Sequence, residues 1–298
     1  MRVMIESPRS QPCQGNAEPP PWNEPRRQRD GLRPLHGVWG RSLNLDRWVP
    51  YRNDEVVGGR IFCFPHAGGN ANFYRPLRQA MPPEIDFCPV ELPGRAARLG
   101  EPAITHIDTL LATLSRTIGP LMTVPFAFFG HSSGASVAYQ AASRLRSVDG
   151  HAAVHLFISA RTADGIDDGE PPLHTRSDAD FHAELRRLSG TPEAVLACEE
   201  LIAAFLPTLR ADLALAESCG PAAQRLDCPI TVLGGTEDSI DIPSLEAWRS
   251  FTSGAFRLRP FPGGHFYLNE GAAAVAAEIG HDLAASAGLT QSPMVDAR

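Results

Sequence analysis

The stretch FAFFGHSSG, residues 126–134, decides the fold of this 298-residue chain. Its first four residues are apolar, which is typical of a buried strand, and the pattern stops at Gly130. Small residues at helical spacing begin at Ala135, so the chain passes from a strand to a helix at the serines. The G-x-S-x-G spacing fits this turn because small residues let the strand and the helix pass closely. Ser132, at the centre of a strained turn, is therefore a candidate nucleophile.

The same short pattern also occurs in surface turns, where a serine does no more than cap a helix. Under the catalytic hypothesis, the backbone N–H of Ser133 at the helix start donates to an oxyanion. The second donor of such a site comes from the loop after an early strand. Residues 60–64 predict that strand and PHAGG follows at 65–69, so we assign the second donor to the Ala67 N–H. For His66, in the same loop, we favour a loop-shaping role over that of a base.

The acid and the base are expected after two later strands, because sites with this turn place their partners in the order Ser, Asp, His. Asp238 follows the first of these strand patterns by a short turn, and we prefer it to Glu237 and Asp241. His265 follows the last strand pattern and is preceded by two glycines, which leave its loop free to reach the serine. The sequence therefore predicts a triad of Ser132, Asp238 and His265.

Strand patterns alternate with helical patterns along most of the chain, which predicts a mostly parallel sheet flanked by helices. Residues 165–220 break this rhythm, because they hold helical segments and no convincing strand. Ser177 and Asp180 form a capping box at the start of one of them. We interpret this insertion as a helical lid that offers an apolar surface to an acyl group. The alternative is a helical subdomain without a gating role.

Composition limits the function classes. The hydrophobic fraction of 43% and charged fraction of 20% are typical of a globular protein, and the net charge of −7 argues against nucleic-acid binding. No apolar run is long enough to span a membrane, and the start of the chain lacks the apolar core of a signal peptide. The six cysteines form no C-x-x-C pair and no metal spacing, so we expect reduced thiols, no metal, no cofactor and a cytoplasmic protein.

The chain is expected to consist of three parts. Residues 1–42 carry seven arginines and seven prolines with little periodic hydrophobicity, which predicts a disordered extension. A basic arm that contacts an acidic partner is the alternative. Residues 43–288 form the catalytic domain, with the lid at about 165–220, and residues 289–298 form a frayed tail.

Several motifs together resemble the type II (editing) thioesterases of polyketide and nonribosomal-peptide assembly lines, which belong to the α/β-hydrolases. These motifs are FPHAGG (64–69), ELPGR (91–95), GHSSG (130–134), LSGTP (188–192), FLPTLRAD (205–212) and GGHF (263–266). The resemblance implies an α/β-hydrolase fold with a helical lid. It also implies Ser132, Asp238 and His265 as the triad. Ser133 departs from the family pattern, which commonly has methionine after the nucleophile.

The resemblance implies hydrolysis of acyl groups from the phosphopantetheine arm of acyl-carrier or peptidyl-carrier domains, which would proofread stalled synthases. A carboxylesterase or a medium-chain acyl-carrier thioesterase would use the same residues, and a non-catalytic binding protein of the same fold is a further alternative. An acidic enzyme that meets acidic carriers needs a local patch of arginines, for which Arg95, Arg98 and Arg161 are candidates. We expect a monomer that binds neither nucleic acid nor membrane.

Overall fold

Six strands form one sheet in the computed structural model, which describes residues 45–53, 55, 57–163, 172–187, 199–220 and 225–289. The strands are β1 (Gly59–Phe64), β2 (Ile85–Pro89), β3 (Phe126–His131), β4 (His155–Ser159), β5 (Ile230–Gly235) and β6 (Phe256–Phe261). Their order across the sheet is β2-β1-β3-β4-β5-β6, and every neighbouring pair is parallel. The carboxyl ends of all six strands therefore lie along the same edge of the sheet.

Burial explains why the strands appear in the sequence as continuous apolar runs. All residues of β1 to β5 are buried, because these strands are covered on both faces. The edge strand β6 has no buried residue, and it carries the arginines Arg257 and Arg259. Charged residues suit an edge strand because they discourage pairing with another chain.

Helices connect the strands and pack on both faces of the sheet. The α-helices are α1 (Leu45–Trp48), α2 (Arg75–Ala80), α3 (Ile107–Thr117), α4 (Ser133–Arg144), α5 (Asp178–Arg187), α6 (Glu199–Glu217), α7 (Ile242–Glu246) and α8 (Ala272–Ala287). Short 3₁₀ turns occupy Ala71–Tyr74, Ala96–Arg98, Gly119–Leu121, Leu173–Thr175, Ala247–Phe251 and Tyr267–Asn269.

Alternate residues of the strands enter two separate cores. Phe62 and Phe128 point to one face, where they pack in a cluster with residues of α3 and α4. Ile61 and Phe129 point to the opposite face and pack with residues of α2 and α8. This alternation follows from the two-residue period of a strand. The predicted fold class, a mostly parallel sheet flanked by helices, is confirmed.

The predicted lid is partly described. Helix α5 begins where the capping box predicts, because the Ser177 hydroxyl accepts the Asp180 N–H at 3.2 Å and donates to the Asp180 carboxylate at 2.7 Å. Helices α5 and α6 share a small apolar core that includes Phe181 and Leu209 and contacts Ala67. The described segments of the lid, 172–187 and 199–220, contain no strand.

Other sequence predictions fall outside the described residues. These are the N-terminal extension, most of the C-terminal tail, the LSGTP motif and the remainder of the lid, within 1–44, 290–298, 188–198 and 164–171. The predicted domain boundaries stay predictions. Among the helices that are described, none is long and apolar enough to cross a membrane.

Candidate active site

The central turn joins β3 to α4 and places Ser132 between them. Ser132 has φ 54° and ψ −123°, a conformation that costs a non-glycine residue about 1–3 kcal/mol. Two backbone hydrogen bonds maintain it: the Ser132 N–H donates to the Ser159 carbonyl at 2.8 Å, and the Ser132 carbonyl accepts the Ala135 N–H at 2.9 Å. The surrounding structure therefore holds the serine at the carboxyl edge of the sheet.

The two glycines of the turn are required by close backbone contacts. A Cβ atom at Gly130 would lie 2.2 Å from the Gly134 carbonyl oxygen. A Cβ atom at Gly134 would lie 2.3 Å from the carbonyl oxygen of Phe64 on β1. Real Cβ atoms do not approach backbone oxygens so closely, so larger residues would force the strand and the helix apart. This contact explains the G-x-S-x-G spacing physically.

Asp238 and His265 lie in two loops that the sheet brings together. The Nδ1 atom of His265 is 2.9 Å from Oδ2 of Asp238, and the two side chains are 13% and 3% exposed. The loops touch at Gly235, where a Cβ atom would lie 2.3 Å from the Gly264 carbonyl oxygen. A further bond, from the Glu237 N–H to the Gly263 carbonyl at 2.9 Å, fixes their spacing.

The two competing acids occupy different environments. Asp241 caps α7, since its carboxylate accepts the Ser244 N–H at 2.9 Å, and its side chain is exposed. Glu237 is exposed as well. Burial by itself would raise the pKa of Asp238, but the hydrogen bond and charge of His265 hold that pKa below its usual value, helped by the backbone N–H groups of Ile240 and Ser239. Asp238 is therefore the acid that is both ionised and paired with His265.

Two other histidines, His66 and His131, lie near Ser132, and burial keeps both imidazoles uncharged near neutral pH. His66 packs edge-on against Phe73 and Phe266, and burial lowers its pKa to about 4. Burial also holds the pKa of His131 well below its usual value. The Nδ1 atom of His131 is 2.8 Å from the Ser159 hydroxyl. Among these three histidines of the described structure, His265 is the one that contacts a carboxylate.

A cavity of about 490 Å³ lies at the serine. Ser132 and His265 line it together with both residues assigned as oxyanion donors, Ala67 and Ser133. In the described structure, no hydrogen bond is donated by the backbone N–H of Ala67 or of Ser133. The apolar wall of the cavity belongs to α5 and α6, which contribute Leu185, Leu209 and Leu213. The cavity thus combines a hydroxyl, an imidazole and two free amide donors with an apolar wall.

The arginine patch predicted for carrier docking is wrong for two of its three members. Arg95 is 5% exposed and forms a buried ion pair with Asp212 on α6. Arg98 is buried as well, lying 4.0 Å from the ring of Trp48 and pairing with Glu101. Sequence patterns do not show that these two arginines are buried. Asp212 and Trp48 lie far from them in the chain, and Glu101 lies in an irregular segment. The pairing of Arg95 with Asp212 joins residues 117 positions apart and was missed by sequence reasoning.

Glu91, just after β2, lies beneath the loop that carries Ala67. One of its carboxylate oxygens accepts the Ala71 N–H at 3.3 Å, and the other has no hydrogen-bond partner in the described structure. Burial raises the pKa of the Glu91 carboxyl to about 7, against the opposing effects of the Ala71 N–H, Arg95 and Arg98. The folded protein therefore holds a proton here that the unfolded chain releases near pH 4.5.

We expect Glu91→Gln to change how stability depends on pH. Between about pH 4.5 and 7 the folded state binds more protons at Glu91 than the unfolded state, so this group lowers wild-type stability as pH rises. Glutamine cannot ionise, so the free energy of unfolding of the variant minus that of wild type should be about 2 kcal/mol larger at pH 8 than at pH 5, which means that the variant gains stability relative to wild type as pH rises. Urea unfolding at both pH values measures this. A difference between variant and wild type that is the same at both would contradict it.

Within the described ranges, no group of three or more His, Cys, Asp or Glu side chains could hold a metal ion. The four cysteines described, Cys63, Cys88, Cys219 and Cys228, are unpaired, and burial raises the pKa of each thiol.

Comparison with known proteins identifies a family. The sequence model described as "Thioesterase domain" matches residues 59–283. The gramicidin S biosynthesis protein GrsT of Aneurinibacillus migulanus is 39% identical over 232 residues, covering 76% of this chain and 90% of that protein. A probable cadicidin biosynthesis thioesterase of Streptomyces griseus is 38% identical over 273 residues, covering 90% and 74%. The solved structure of the type II thioesterase BorB, from the borrelidin biosynthetic cluster, aligns with a TM-score of 0.70 at 37% identity, covering 80% and 98%.

Proposed function

Because this chain belongs to the thioesterase family, whose members are thioester hydrolases, we propose that it removes acyl groups from carrier proteins of polyketide or nonribosomal-peptide synthases. The acyl group is carried as a thioester on the phosphopantetheine arm, and its removal frees a stalled synthase. One observation carries the proposal: a single cavity is lined by Ser132, His265 and two free amide donors beside an apolar wall, and His265 is paired with Asp238. The similarity to type II thioesterases of such pathways supports the substrate class.

The first half of the reaction acylates the serine. His265 accepts the proton of the Ser132 hydroxyl as Oγ attacks the thioester carbonyl carbon. The negative charge that develops on the carbonyl oxygen is stabilised by the N–H groups of Ala67 and Ser133. The carbon–sulfur bond then breaks, and the pantetheine thiol leaves with the proton that His265 held.

The second half regenerates the enzyme. Water loses a proton to His265 and attacks the acyl-enzyme carbonyl, and the same two amides stabilise the second oxyanion. Collapse of this intermediate breaks the bond to Oγ, returns the proton to Ser132 and releases a carboxylic acid. Asp238 accepts the Nδ1–H of His265 throughout, which orients the ring and stabilises its protonated form.

The apolar wall suits an acyl chain. Leu209 and Leu213 lie one turn apart on α6, and Leu185 faces the same cavity from α5. When an alkyl chain binds against these residues, its apolar surface is removed from contact with water. This favours binding by about 25 cal/mol per Å² of buried apolar surface. We assign α5 and α6 to the lid, and we place the reaction in the cytoplasm with a monomeric enzyme and a carrier domain as the partner.

The test compares one acyl group on two supports. A carrier protein loaded with an acetyl or an octanoyl thioester is incubated with the enzyme, and intact-mass spectrometry follows the loss of the acyl mass. The same acyl groups are offered as p-nitrophenyl esters. We expect the carrier to return to its free thiol form, with a higher kcat/KM than for the matching aryl ester.

Three outcomes would contradict this proposal. Rapid cleavage of the aryl esters with an unchanged acyl-carrier would indicate a carboxylesterase. Absence of hydrolysis of either substrate would indicate a binding protein of the same fold. A preference for octanoyl over acetyl carriers by more than tenfold would instead favour a chain-terminating, medium-chain thioesterase over an editing enzyme.

A further inference from the structure

Arg95 and Asp212 form a buried ion pair between the loop after β2 and helix α6. The guanidinium contacts both carboxylate oxygens, NH1 at 2.8 Å from Oδ2 and NH2 at 2.5 Å from Oδ1. The two side chains are 5% and 6% exposed. A bidentate pair of this kind fixes the relative orientation of the groups that it joins as well as their distance.

Both partners also hold the backbone of the loop that carries Ala67. The Asp212 carboxylate accepts the Gly68 N–H at 2.7 Å, and the Arg95 guanidinium donates to the Gly69 carbonyl at 2.9 Å. Gly68 and Gly69 directly follow Ala67, whose N–H is assigned to the oxyanion. The ion pair therefore holds the backbone of this loop through two hydrogen bonds.

Besides these two bonds, the backbone of residues 65–69 makes one hydrogen bond in the described structure, and the ring of His66 packs against Phe73 and Phe266. Gly68 has φ 74°, and a Cβ atom there would lie 2.7 Å from the Leu209 side chain, so this position has no side chain that could anchor it. The described turn bond is that from the Gly69 N–H to the His66 carbonyl, at 2.9 Å. Glycines adopt many backbone conformations, so external hydrogen bonds are needed to select one. Asp212 and Arg95 supply two of them.

We propose that Arg95 and Asp212 are positioning residues, which aim the Ala67 N–H at the oxyanion and make its orientation depend on the placement of α6. This inference rests on the proposed function, since it assumes an oxyanion at that amide. Asp212 belongs to the same helix that lines the acyl-binding wall with Leu209 and Leu213. A displacement of α6 removes the acceptor of the Gly68 N–H, so lid position and oxyanion stabilisation are coupled.

A purely structural role for the pair is the competing explanation, and the chain offers a matched control. Arg60 and Asp86 also form a buried ion pair, at 2.9 Å, with side chains 8% and 3% exposed. They lie near the amino ends of β1 and β2, at the edge of the sheet opposite to Ser132. Asp86→Asn therefore disturbs an ion pair of similar burial that does not contact the loop.

The experiment measures how fast an alkyl fluorophosphonate modifies Ser132. In this reaction the serine Oγ–P bond forms, the P–F bond breaks, fluoride leaves and the serine proton passes to His265. The phosphoryl oxygen occupies the oxyanion position, so the rate reports on the amide donors without depending on the natural acyl group. Intact-mass spectrometry gives both the second-order rate constant and the final fraction of chains that are modified.

We expect Asp212→Asn to lower this rate constant roughly 30-fold, less than the 10²–10³-fold cost of losing a whole oxyanion donor. Nearly every chain should still become modified. Asp86→Asn should stay within about twofold of wild type. Arg95→Lys should react faster than Arg95→Met, because lysine keeps the positive charge beside Asp212. It should react more slowly than wild type, because lysine cannot donate to Asp212 and Gly69 in the fork geometry of arginine. Arg95→Lys also serves as the milder variant if Asp212→Asn does not fold.

Three results would overturn the inference. Asp212→Asn and Arg95→Met could match Asp86→Asn in rate. The variants could show an unchanged rate constant with a smaller modified fraction, which indicates partial unfolding only. Wild type could fail to react at all, which would contradict both the inference and the proposed function. If wild type is modified at Ser132 but leaves acyl-carriers intact, the proposed function alone fails, and the rates of the variants still decide the positioning role.

Discussion

Ser132→Ala should reduce thioester hydrolysis by at least about 10⁴-fold, the order of loss expected when a serine nucleophile is removed. Alanine leaves the cavity, the Asp238–His265 pair and both amide donors in place, but it has no oxygen to form the acyl-enzyme. The turn should survive, because alanine and serine meet the same steric demand at φ 54°. We therefore expect the free energy of unfolding to change by no more than about 1 kcal/mol.

The measurement follows release of the acyl group from a loaded carrier, with unfolding in urea recorded in parallel. Ser136→Ala is the matched control, since Ser136 lies in the first turn of α4, four residues after Ser132, and is half-buried. It should retain wild-type turnover within about twofold. Turnover by Ser132→Ala comparable with that of the control would remove Ser132 from the mechanism.

Asp238→Asn should lower kcat by roughly 10³–10⁴-fold, with a much smaller change in KM. In the wild-type protein, the Asp238 carboxylate accepts the Nδ1–H of His265 at 2.9 Å. This leaves Nε2 as the unprotonated atom that can take the serine proton. An asparagine can present its amide N–H₂ to Nδ1, which moves the ring proton to Nε2 and removes the base. It also removes the negative charge that stabilises the protonated ring.

Glu237→Gln is the control for this prediction, since Glu237 is the neighbouring acid and its side chain is exposed. We expect that variant to keep kcat within about threefold of wild type. Steady-state kinetics on one acyl-carrier over a range of concentrations separates kcat from KM. A large loss in Glu237→Gln, or full activity in Asp238→Asn, would show that the acid had been assigned to the wrong residue.

Local sequence patterns were sufficient where neighbouring residues determine the structure. The turn at Gly130 and Gly134 is visible in the sequence because close backbone contacts exclude larger residues at fixed spacing. The buried strands are visible because both faces of the sheet are covered. A parallel sheet brings the loops after its strands to one edge, so residues far apart in the chain, each following a strand pattern, can be expected to meet in one site. The structure places Asp238 against His265, and the catalytic roles of the triad stay predictions for the variants above.

The surface patch predicted at Arg95 and Arg98 shows where local patterns failed. An arginine in a glycine-rich loop has the same sequence context whether it faces solvent or a buried carboxylate. Its environment is decided by Asp212, which reaches it only when α6 packs over the loop. Burial of such an ion pair is favourable only when its hydrogen bonds are well formed. Those hydrogen bonds form only when α6 and the loop are both in their folded positions.

The sequence by itself determined the parallel sheet, the strained turn at Ser132 and the candidates for its two partners, because these depend on residue spacing and chain order. Tertiary structure alone decided which charged groups are buried together: Arg95 with Asp212, and Glu91 beneath the loop of Ala67. The physical reason is the range of the interactions. Steric rules for strands and turns act between neighbours in the chain, whereas desolvation and ion pairing act between groups that only the folded chain brings together.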